Sequence, residues 1–322
     1  MGSASSSARG SAAPAVTVIG CVQADVLMSP VTELPAPGAT HLTDETSMRA
    51  GGAGANAALA FAEAGLPVRL IGCVGDDQIG RWMWEQLAPW GLAHELIVVA
   101  EETSGLTVAL ESPARDRTFL TYLGVNAIWE PSMIPADALD CQCLLFCDYF
   151  VAPGLQGDAG RGLLEATRAA GGRTFFDTAW DPGGFAAATR ARLRALLPSV
   201  DVFLPNEAEA CAIADVPADE APTAARTLQA VSGGWVVVKL GARGCLAVGP
   251  DGAELTVAAP ATTVADTTGA GDAFNAGLIR ALGDGAPWPE ALDAAVRFAS
   301  ALIARPSSDR HRTSGDSSRA ST

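Results

Sequence analysis

This chain lacks a long uncharged apolar run, which argues against a membrane span. No stretch reaches the roughly 18 apolar residues that indicate a transmembrane helix. The first residues, MGSASSSARGSAAP, also lack the apolar core of about 7–15 residues typical of a secretory signal. Their small, polar composition predicts a disordered arm over residues 1–14, and the polar end of the chain predicts a disordered tail over residues 306–322.

Basic residues are scarce compared with acidic ones. Among 322 residues there are 21 Lys and Arg but 36 Asp and Glu, which gives a formal net charge of −15. Such a surface repels nucleic acid and anionic lipid, so we expect neither a nucleic-acid partner nor a membrane partner. A local cradle of backbone N–H groups can still hold phosphate, so nucleotide binding stays compatible with this charge.

Histidine and paired cysteine motifs are also scarce. Three histidines occur, and the seven cysteines lie mostly in apolar runs such as CQCLLFC, with no CxxC pairs. A zinc site is therefore not expected, and we interpret the cysteines as buried thiols. Unpaired thiols fit a reducing compartment, which predicts a cytoplasmic location.

Buried strands alternate with helices along most of the chain. Residues 15–22 and 68–75 are apolar and β-branched, which predicts strands covered on both faces. Helical patterns follow them over residues 53–64 and about 79–90, and the alternation resumes in the second half of the chain. This order predicts right-handed βαβ units and a mostly parallel sheet, in one α/β domain over residues 15–305.

Two segments interrupt this rhythm. Residues 24–48 contain three prolines, and residues 103–123 alternate polar with apolar positions around a Ser-Pro-Ala-Arg-Asp turn. Period-two alternation is typical of strands with one solvated face. We predict that the two segments pair as a small sheet, a lid over one end of the main sheet.

The strongest chemical signal is the run DTTGAGD at residues 266–272, which precedes an apolar helical pattern. A helix that begins near Ala270 would expose unpaired N–H groups from Gly269 to Asp272, and helix N-termini hold anions well. The Asp272 carboxylate beside them could accept a proton from a hydroxyl group. Phosphoryl transfer needs these two features side by side, because its catalysis is mostly positioning and charge stabilisation.

Together with its continuation AFNAG, this run resembles the C-terminal signature of the ribokinase-like (PfkB) family of carbohydrate kinases. A second family signature, GGAGANAA, begins at Gly51, and GCVGDDQIG follows it at residues 72–80. The resemblance implies a three-layer α/β/α fold with a central, mostly parallel sheet and a β lid. It also implies ATP as phosphoryl donor, Mg²⁺, a sugar-like acceptor, and a homodimer formed through the lid.

The resemblance assigns roles to individual residues. Asp272 would be the catalytic base, with Gly269, Ala270 and Gly271 as the anion hole. The acceptor-binding positions would be Asp25, Gly51, Gly52 and Asn56. The nucleotide-side positions would be Asn206, Lys239, Gly241, Gly244 and Thr268. Glu209 would organise Mg²⁺ through water, and Asp266 is a candidate ligand for a monovalent cation such as K⁺, as in some relatives.

Structural alternatives stay open for several of these residues. Asp25 could be an ordinary strand-end aspartate, Asn56 an asparagine on a helix surface, and Lys239 a solvated strand-end lysine. Asn206 and Glu209 have the spacing of a helix capping box.

The sequence departs from the family pattern at two places. Ribose-specific members carry a lysine at the position of Ala53, so plain ribose is not the expected acceptor. The end of the chain, ALIARPSSDRHRTSGD, lacks the Thr-Arg-x-Gly-Ala loop of relatives, which puts the adenine contacts and the cation site in doubt.

Two other functions compete with a sugar kinase. A nucleoside kinase of the same fold would need an aromatic pocket for a base, and Phe119 and Tyr122 on the lid could supply it. A non-catalytic sugar-binding relative is the second alternative, and the intact Asp272 and anion hole argue against it.

Overall fold

The structure is a computed structural model that describes residues 15–34, 36–112 and 115–306. The predicted arm over residues 1–14, and the predicted tail from residue 307 onwards, lie outside the described residues. Within them, no helix is long and apolar enough to span a bilayer. All seven cysteines are free, and all but Cys143 are buried, which confirms their interpretation as buried thiols.

Eight strands form the central sheet, which is mostly parallel, as predicted for an α/β fold. In spatial order they run β14, β13, β12, β11, β10, β9, β1 and β4. All neighbours are parallel except at the β12–β13 and β13–β14 pairs. Their bounds are β1 Val16–Ile19, β4 Val68–Ile71, β9 Cys143–Phe146, β10 Arg173–Phe176, β11 Val202–Phe203, β12 Trp235–Lys239, β13 Cys245–Val248 and β14 Glu254–Val257.

Helices cover both faces of this sheet. Alternate side chains of β9 point to opposite sides, so that Leu144 and Phe146 join one buried cluster and Leu145 joins the other. The first cluster is completed by α3 to α6, and the second by α1, α2, α7 and α8. The helices are α1 Ala53–Glu63, α2 Gln78–Leu87, α3 Asp158–Ala169, α4 Ala187–Leu196, α5 Glu207–Ala214, α6 Ala221–Ser232, α7 Ala270–Gly283 and α8 Trp288–Ile303.

A separate four-stranded sheet confirms the predicted lid. It contains β2 Gln23–Ser29, β3 Glu45–Gly51, β7 Gly105–Ser112 and β8 Arg115–Tyr122, in the order β3, β2, β7, β8. The two interrupting segments do pair, through parallel β2 and β7. Residues 30–34 and 36–44 are a loop and not part of a strand.

The lid sheet carries two rows of directly opposed residues, one on each face. Arg49, Asp25, Thr107 and Thr121 form a polar row, one residue from each strand. Met48, Val26, Val108 and Leu120 form an apolar row on the other face, because successive side chains of a strand alternate. The lid therefore has one hydrophilic and one hydrophobic surface.

The prediction of a single strand over residues 68–75 is wrong. The chain turns at Gly72, where a Cβ would lie 2.5 Å from Cγ2 of Val22. Residues beyond it form β5 Cys73–Gly75, which pairs with β6 Ile97–Val99 in a separate two-stranded sheet. The first predicted strand, 15–22, is also shorter than expected, because the chain leaves the main sheet after Ile19 to enter the lid.

Candidate active site

Polar residues follow several neighbouring strands of the central sheet at their carboxyl ends. Asp148 follows β9, Asp177 follows β10, and Asn206 follows β11. Lys239 ends β12 and forms a β-bridge with Asn206. Parallel strands bring these ends to one edge, which is where open α/β sheets bind ligands.

Asp272 reaches the same edge from the first turn of α7. Gly269 precedes the helix with a φ of 74°, a left-handed conformation that glycine adopts without steric cost. The amide of Ala270 donates to the carbonyl of Thr267 at 3.2 Å. The amides of Gly269, Gly271 and Asp272 have no acceptor within the described part of the chain. Three backbone donors thus remain beside one carboxylate at a helix N-terminus.

The surroundings of Asp272 favour its protonated form. Burial raises the pKa of Asp272 well above its ordinary value, and the charges of Asp177 and Asp148 raise it further. Lys239 and Asn56 act in the opposite direction. Asn56 lies on α1, so this interaction connects the two family-like signatures.

A buried ion pair lies behind the helix N-terminus, and the sequence analysis did not identify its acidic member. Nζ of Lys239 donates to Oδ2 of Asp177 at 2.5 Å, and Nδ2 of Asn275 donates to the same oxygen at 2.6 Å. A Cβ built at Gly271 would lie 3.4 Å from Nζ of Lys239, so the ammonium group lies beside Gly271. Burial would lower the pKa of Lys239, but the charges of Asp177 and Glu209 outweigh it and raise that pKa.

The structure corrects the alternative drawn for Lys239, because this lysine is buried at its ammonium end and not solvated. Its side chain is 13% exposed, and that of Asp177 is 10% exposed. In the sequence, the position of Asp177 directly after the apolar run of β10 is the signal that could have identified it. Asn275 lies three residues after Asp272, hence on the same side of α7.

Asn206 and Glu209 form a complete capping box at the start of α5. The Asn206 amide donates to Oε2 of Glu209 at 2.9 Å, and the Glu209 amide donates to Oδ1 of Asn206 at 2.9 Å. Nδ2 of Asn206 also donates to Oε1 of Glu209, at 2.7 Å. The capping box that the spacing of Asn206 and Glu209 suggested is therefore present in the structure. Burial and the charge of Asp177 raise the pKa of Glu209, whereas Lys239 lowers it.

Asp148 anchors the start of α1. Its Oδ2 accepts the amides of Cys21 at 3.0 Å and Gly54 at 3.1 Å. Burial raises the pKa of this carboxyl to about 7, although these backbone bonds oppose the shift. Asp148 therefore fixes the segment that carries Asn56 relative to the end of β1.

Gly51 and Gly52 leave room for close contacts between the lid and the core. A Cβ at Gly51 would lie 2.1 Å from Oδ2 of Asp25, so only glycine admits that carboxylate. Gly52 has a φ of 83°, and its Cβ would lie 2.3 Å from the carbonyl oxygen of Cys21. Burial raises the pKa of Asp25, while Arg49 and Gln23 lower it.

The two predicted nucleotide-side glycines differ in their surroundings. Gly241 has a φ of 58° and open space where a Cβ would stand. At Gly244 a Cβ would collide with the carbonyl oxygen of Val257 in β14. The sheet edge therefore requires glycine at 244, a different reason from the expected approach of a nucleotide.

Thr268 and Asp266 hold each other in the loop that precedes α7. The amide and Oγ1 of Thr268 both donate to Oδ1 of Asp266, each at 2.8 Å. Oδ2 of Asp266 pairs with Arg49 of the lid at 3.1 Å. The hydroxyl of Thr268 is thus already engaged by the protein.

The site carries more negative than positive charge. Asp177 interacts electrostatically with Asp148, Glu209 and Asp272, and the ammonium of Lys239 interacts with Asp177, Glu209 and Asp272. Within residues 15–34, 36–112 and 115–306, no three His, Cys, Asp or Glu side chains are placed to ligate one metal. The residues fit Mg²⁺ held through water and phosphate oxygens, since Mg²⁺ keeps several waters and takes few protein ligands.

Several known proteins are similar to this chain. The sequence model described as pfkB family carbohydrate kinase matches residues 15–312. Ribokinase of Haemophilus influenzae is 27% identical over 296 residues, which cover 90% of this chain and 90% of that protein. Adenosine kinase of Schizophyllum commune is 29% identical over 287 residues, which cover 80% of each protein.

Solved structures show the same fold. The structure of Arabidopsis thaliana ribokinase complexed with ribose and ATP matches with a TM-score of 0.77 at 25% identity, and the match covers 91% of this chain and 93% of that chain. The expected three-layer fold with a small second sheet is confirmed.

Proposed function

Because the chain belongs to the pfkB family of carbohydrate kinases, we propose that it transfers a phosphoryl group from ATP to a hydroxyl of a sugar-like acceptor. The observation that carries this proposal is Asp272 beside three unpaired backbone amides, with the ammonium of Lys239 against Gly271. A base and an anion hole at one helix N-terminus are what this reaction needs.

Asp272 removes the proton of the acceptor hydroxyl while the oxygen of that hydroxyl forms a bond to the terminal phosphorus of ATP. ATP supplies the phosphoryl group, and ADP leaves with the bridging oxygen when the bond between that oxygen and the terminal phosphorus breaks. Glu209 would hold Mg²⁺ through water, and the ion would offset the negative charge of the phosphates. The amides of Gly269, Gly271 and Asp272 stabilise the charge of the migrating group. Lys239 adds a positive charge at the same place, and Asp177 positions it.

The raised pKa of Asp272 suits it to this role. A base accepts a proton more readily when its pKa is closer to that of the proton donor, so burial makes Asp272 a stronger base than an exposed aspartate. Its ionised form is then supported by Lys239 and Asn56, which both favour the charged carboxylate.

The lid supports a polyhydroxylated acceptor. Asp25, on the polar row, has a carboxylate that can accept two hydroxyl groups, and Gln23 donates to it at 3.3 Å. Oε1 of Gln23 and both amide atoms of Asn126 are buried and have no partner among the described residues. A Cβ at Gly105 would lie 2.6 Å from Nδ2 of Asn126, so this corner is closely packed and rich in unused polar groups.

A nucleoside acceptor is the second candidate, supported by the similarity to adenosine kinase. The structure weakens the pocket expected from two aromatic residues. Phe119 shares a face with the polar row, but Tyr122 lies on the opposite face and bonds Thr103 at 2.9 Å. Only Phe119 can stack on a base bound at the polar row.

A coupled ADP-release screen tests the proposal. Purified protein is given ATP, Mg²⁺ and one of a set of sugars, sugar acids and nucleosides, with Asp272→Asn as the blank. We expect turnover with at least one sugar or sugar acid. Turnover with a nucleoside alone would replace the first candidate by the second. Binding of a sugar without turnover by the wild type would favour a non-catalytic relative and overturn the proposal.

We also propose that the apolar row joins two lids in a homodimer. Met48 and Leu120 are 48% and 56% exposed, and Tyr122 on the same face is 59% exposed. Such a continuous exposed apolar surface is typical of an association site. Leu120→Glu should shift the mass measured by light scattering to that of a monomer, whereas an unchanged mass would contradict this arrangement.

The free thiols at all seven cysteines support a cytoplasmic location.

A further inference from the structure

One ion pair links the lid to the loop that precedes α7. Nη1 of Arg49, on β3, lies 3.1 Å from Oδ2 of Asp266, although the two residues are 217 positions apart. Their side chains are only 22% and 8% exposed. A contact this sheltered from solvent is screened less by salt than a surface ion pair.

Asp266 shapes the start of the predicted anion hole. Its Oδ1 accepts two bonds from Thr268, which closes a tight turn immediately before Gly269. The amides of Ala265 and Asp266 both donate to the carbonyl of Ile303, at 2.9 and 3.3 Å, and so fix the loop to the end of α8. The Asp266 carboxylate therefore helps to fix the loop that leads into the three unpaired amides.

Arg49 also lies beside the predicted acceptor carboxylate. Arg49 and Asp25 are directly opposed in the antiparallel β2–β3 pair, so both side chains project from the same face. The charge of Arg49 lowers the pKa of Asp25, against the effect of burial. One guanidinium thus stands between the acceptor side and the donor side of the site.

These contacts do not fit a monovalent cation bound at Asp266, the role expected from some relatives. Oδ2 already faces a permanent positive charge, and Oδ1 is engaged by two donors of Thr268. The nearby carbonyl of Ile303 already accepts two amides. A cation placed here would be repelled by Arg49 and would find these oxygens engaged.

We propose that Arg49 is a positioning residue that supplies the positive charge of this loop from within the chain. It holds Asp266, and with it the anion hole, against the lid strand that carries the acceptor-binding face. Among the described residues, Arg49 therefore takes the place of a monovalent cation at Asp266. This inference rests on the proposed kinase function only in its kinetic consequences.

Cation binding and turnover test the proposal together. Wild-type protein is compared in potassium, sodium and tetramethylammonium chloride at one ionic strength, and binding of Tl⁺, a mimic of K⁺, is followed by ²⁰⁵Tl NMR. We expect no saturable Tl⁺ binding, no rise of melting temperature specific to K⁺, and turnover within about twofold across the salts. Saturable Tl⁺ binding to the wild type, or activation by K⁺ on the order of tenfold, would overturn the proposal.

Variants of Arg49 separate positioning from folding. Arg49→Met should lower kcat/KM on the order of tenfold or more, since a charge-assisted hydrogen bond is lost, and should make turnover respond to K⁺. Arg49→Lys should keep turnover independent of K⁺. Arg226→Met is the control, since Arg226 pairs with Glu254 at an exposed surface. Unchanged, K⁺-independent turnover in Arg49→Met would refute the role.

The Tl⁺ and melting measurements need no turnover, so they remain informative if no acceptor is phosphorylated. Absence of turnover with every acceptor would count against the kinase proposal, whereas saturable Tl⁺ binding would count against the role of Arg49. The two failures are thereby distinguishable.

Discussion

The carboxyl edge of the central sheet and the polar row of the lid are both polar, but they are built differently. The edge gathers buried charges, each fixed by a strand end or a helix start, and Asp177 and Lys239 there are nearly enclosed. The polar row takes one residue from each of four strands, and two of its members, Thr107 and Thr121, are neutral hydroxyls bonded at 2.9 Å.

This difference indicates a division of work. Charges buried at the edge are held in one geometry and interact strongly because little water screens them, which suits stabilisation of a transition state. Under the proposed function, the lid residues recognise the hydroxyl groups of the acceptor. Changes at the edge should therefore lower kcat, and changes on the lid should mainly raise the KM of the acceptor.

The largest effect is expected from Asp272→Asn. Loss of the base should lower kcat by about 10²–10⁴-fold, while ATP binding measured by calorimetry persists. Asp284→Asn is a matched control, because Asp284 ends the same helix and is exposed at its side chain. Retained turnover in Asp272→Asn would show that the edge of the central sheet does not supply the catalytic base.

A smaller loss is expected from Lys239→Met. Removal of the ammonium group that lies against Gly271 should lower kcat on the order of 10²-fold, since a charge at the developing transition state is lost. Steady-state kinetics with ATP and the acceptor measure this. Arg243→Met removes an exposed cation of the loop that follows β12, and it should leave kcat within about twofold. Equal losses in both variants would show that position 239 has no special role.

The smallest change in kcat is expected from Asp25→Asn on the lid. The amide retains one acceptor oxygen but loses the charge, so the KM of the acceptor should rise on the order of tenfold and that of ATP should change little. Asp44→Asn, which changes an exposed aspartate in the loop before β3, is the control. A fall in kcat with unchanged acceptor KM would place Asp25 with the edge residues.

Local patterns in the sequence encode several parts of the candidate site. The helix start at Ala270, the carboxylate of Asp272 and the capping box of Asn206 and Glu209 each depend on neighbours within a few residues, so the sequence displays them. Period-two alternation likewise predicted the lid strands.

Contacts between strands that are far apart in the chain could not be predicted from the sequence. Asp177 has no local motif, and its partner Lys239 lies 62 residues further along the chain. The alternating pattern also did not show which face of the lid each side chain occupies. Phe119 and Tyr122 were therefore assigned to one pocket, although they lie on opposite faces. Helices α4 and α6 were not predicted, and the break at Gly72 depends on contact with Val22.

The pH dependence of kcat/KM tests the central claim most directly, because it reports the ionisation of Asp272 in the free protein. Burial and Asp177 hold the pKa of Asp272 well above the ordinary 3.8, and the base works only when ionised. In the wild type, kcat/KM should therefore rise with pH through that raised pKa. In Asp177→Asn, which lacks one repelling charge, the rise should move to lower pH. A wild-type profile that stays flat down to about pH 4, or a rise that Asp177→Asn leaves in place or moves to higher pH, would contradict Asp272 as the base.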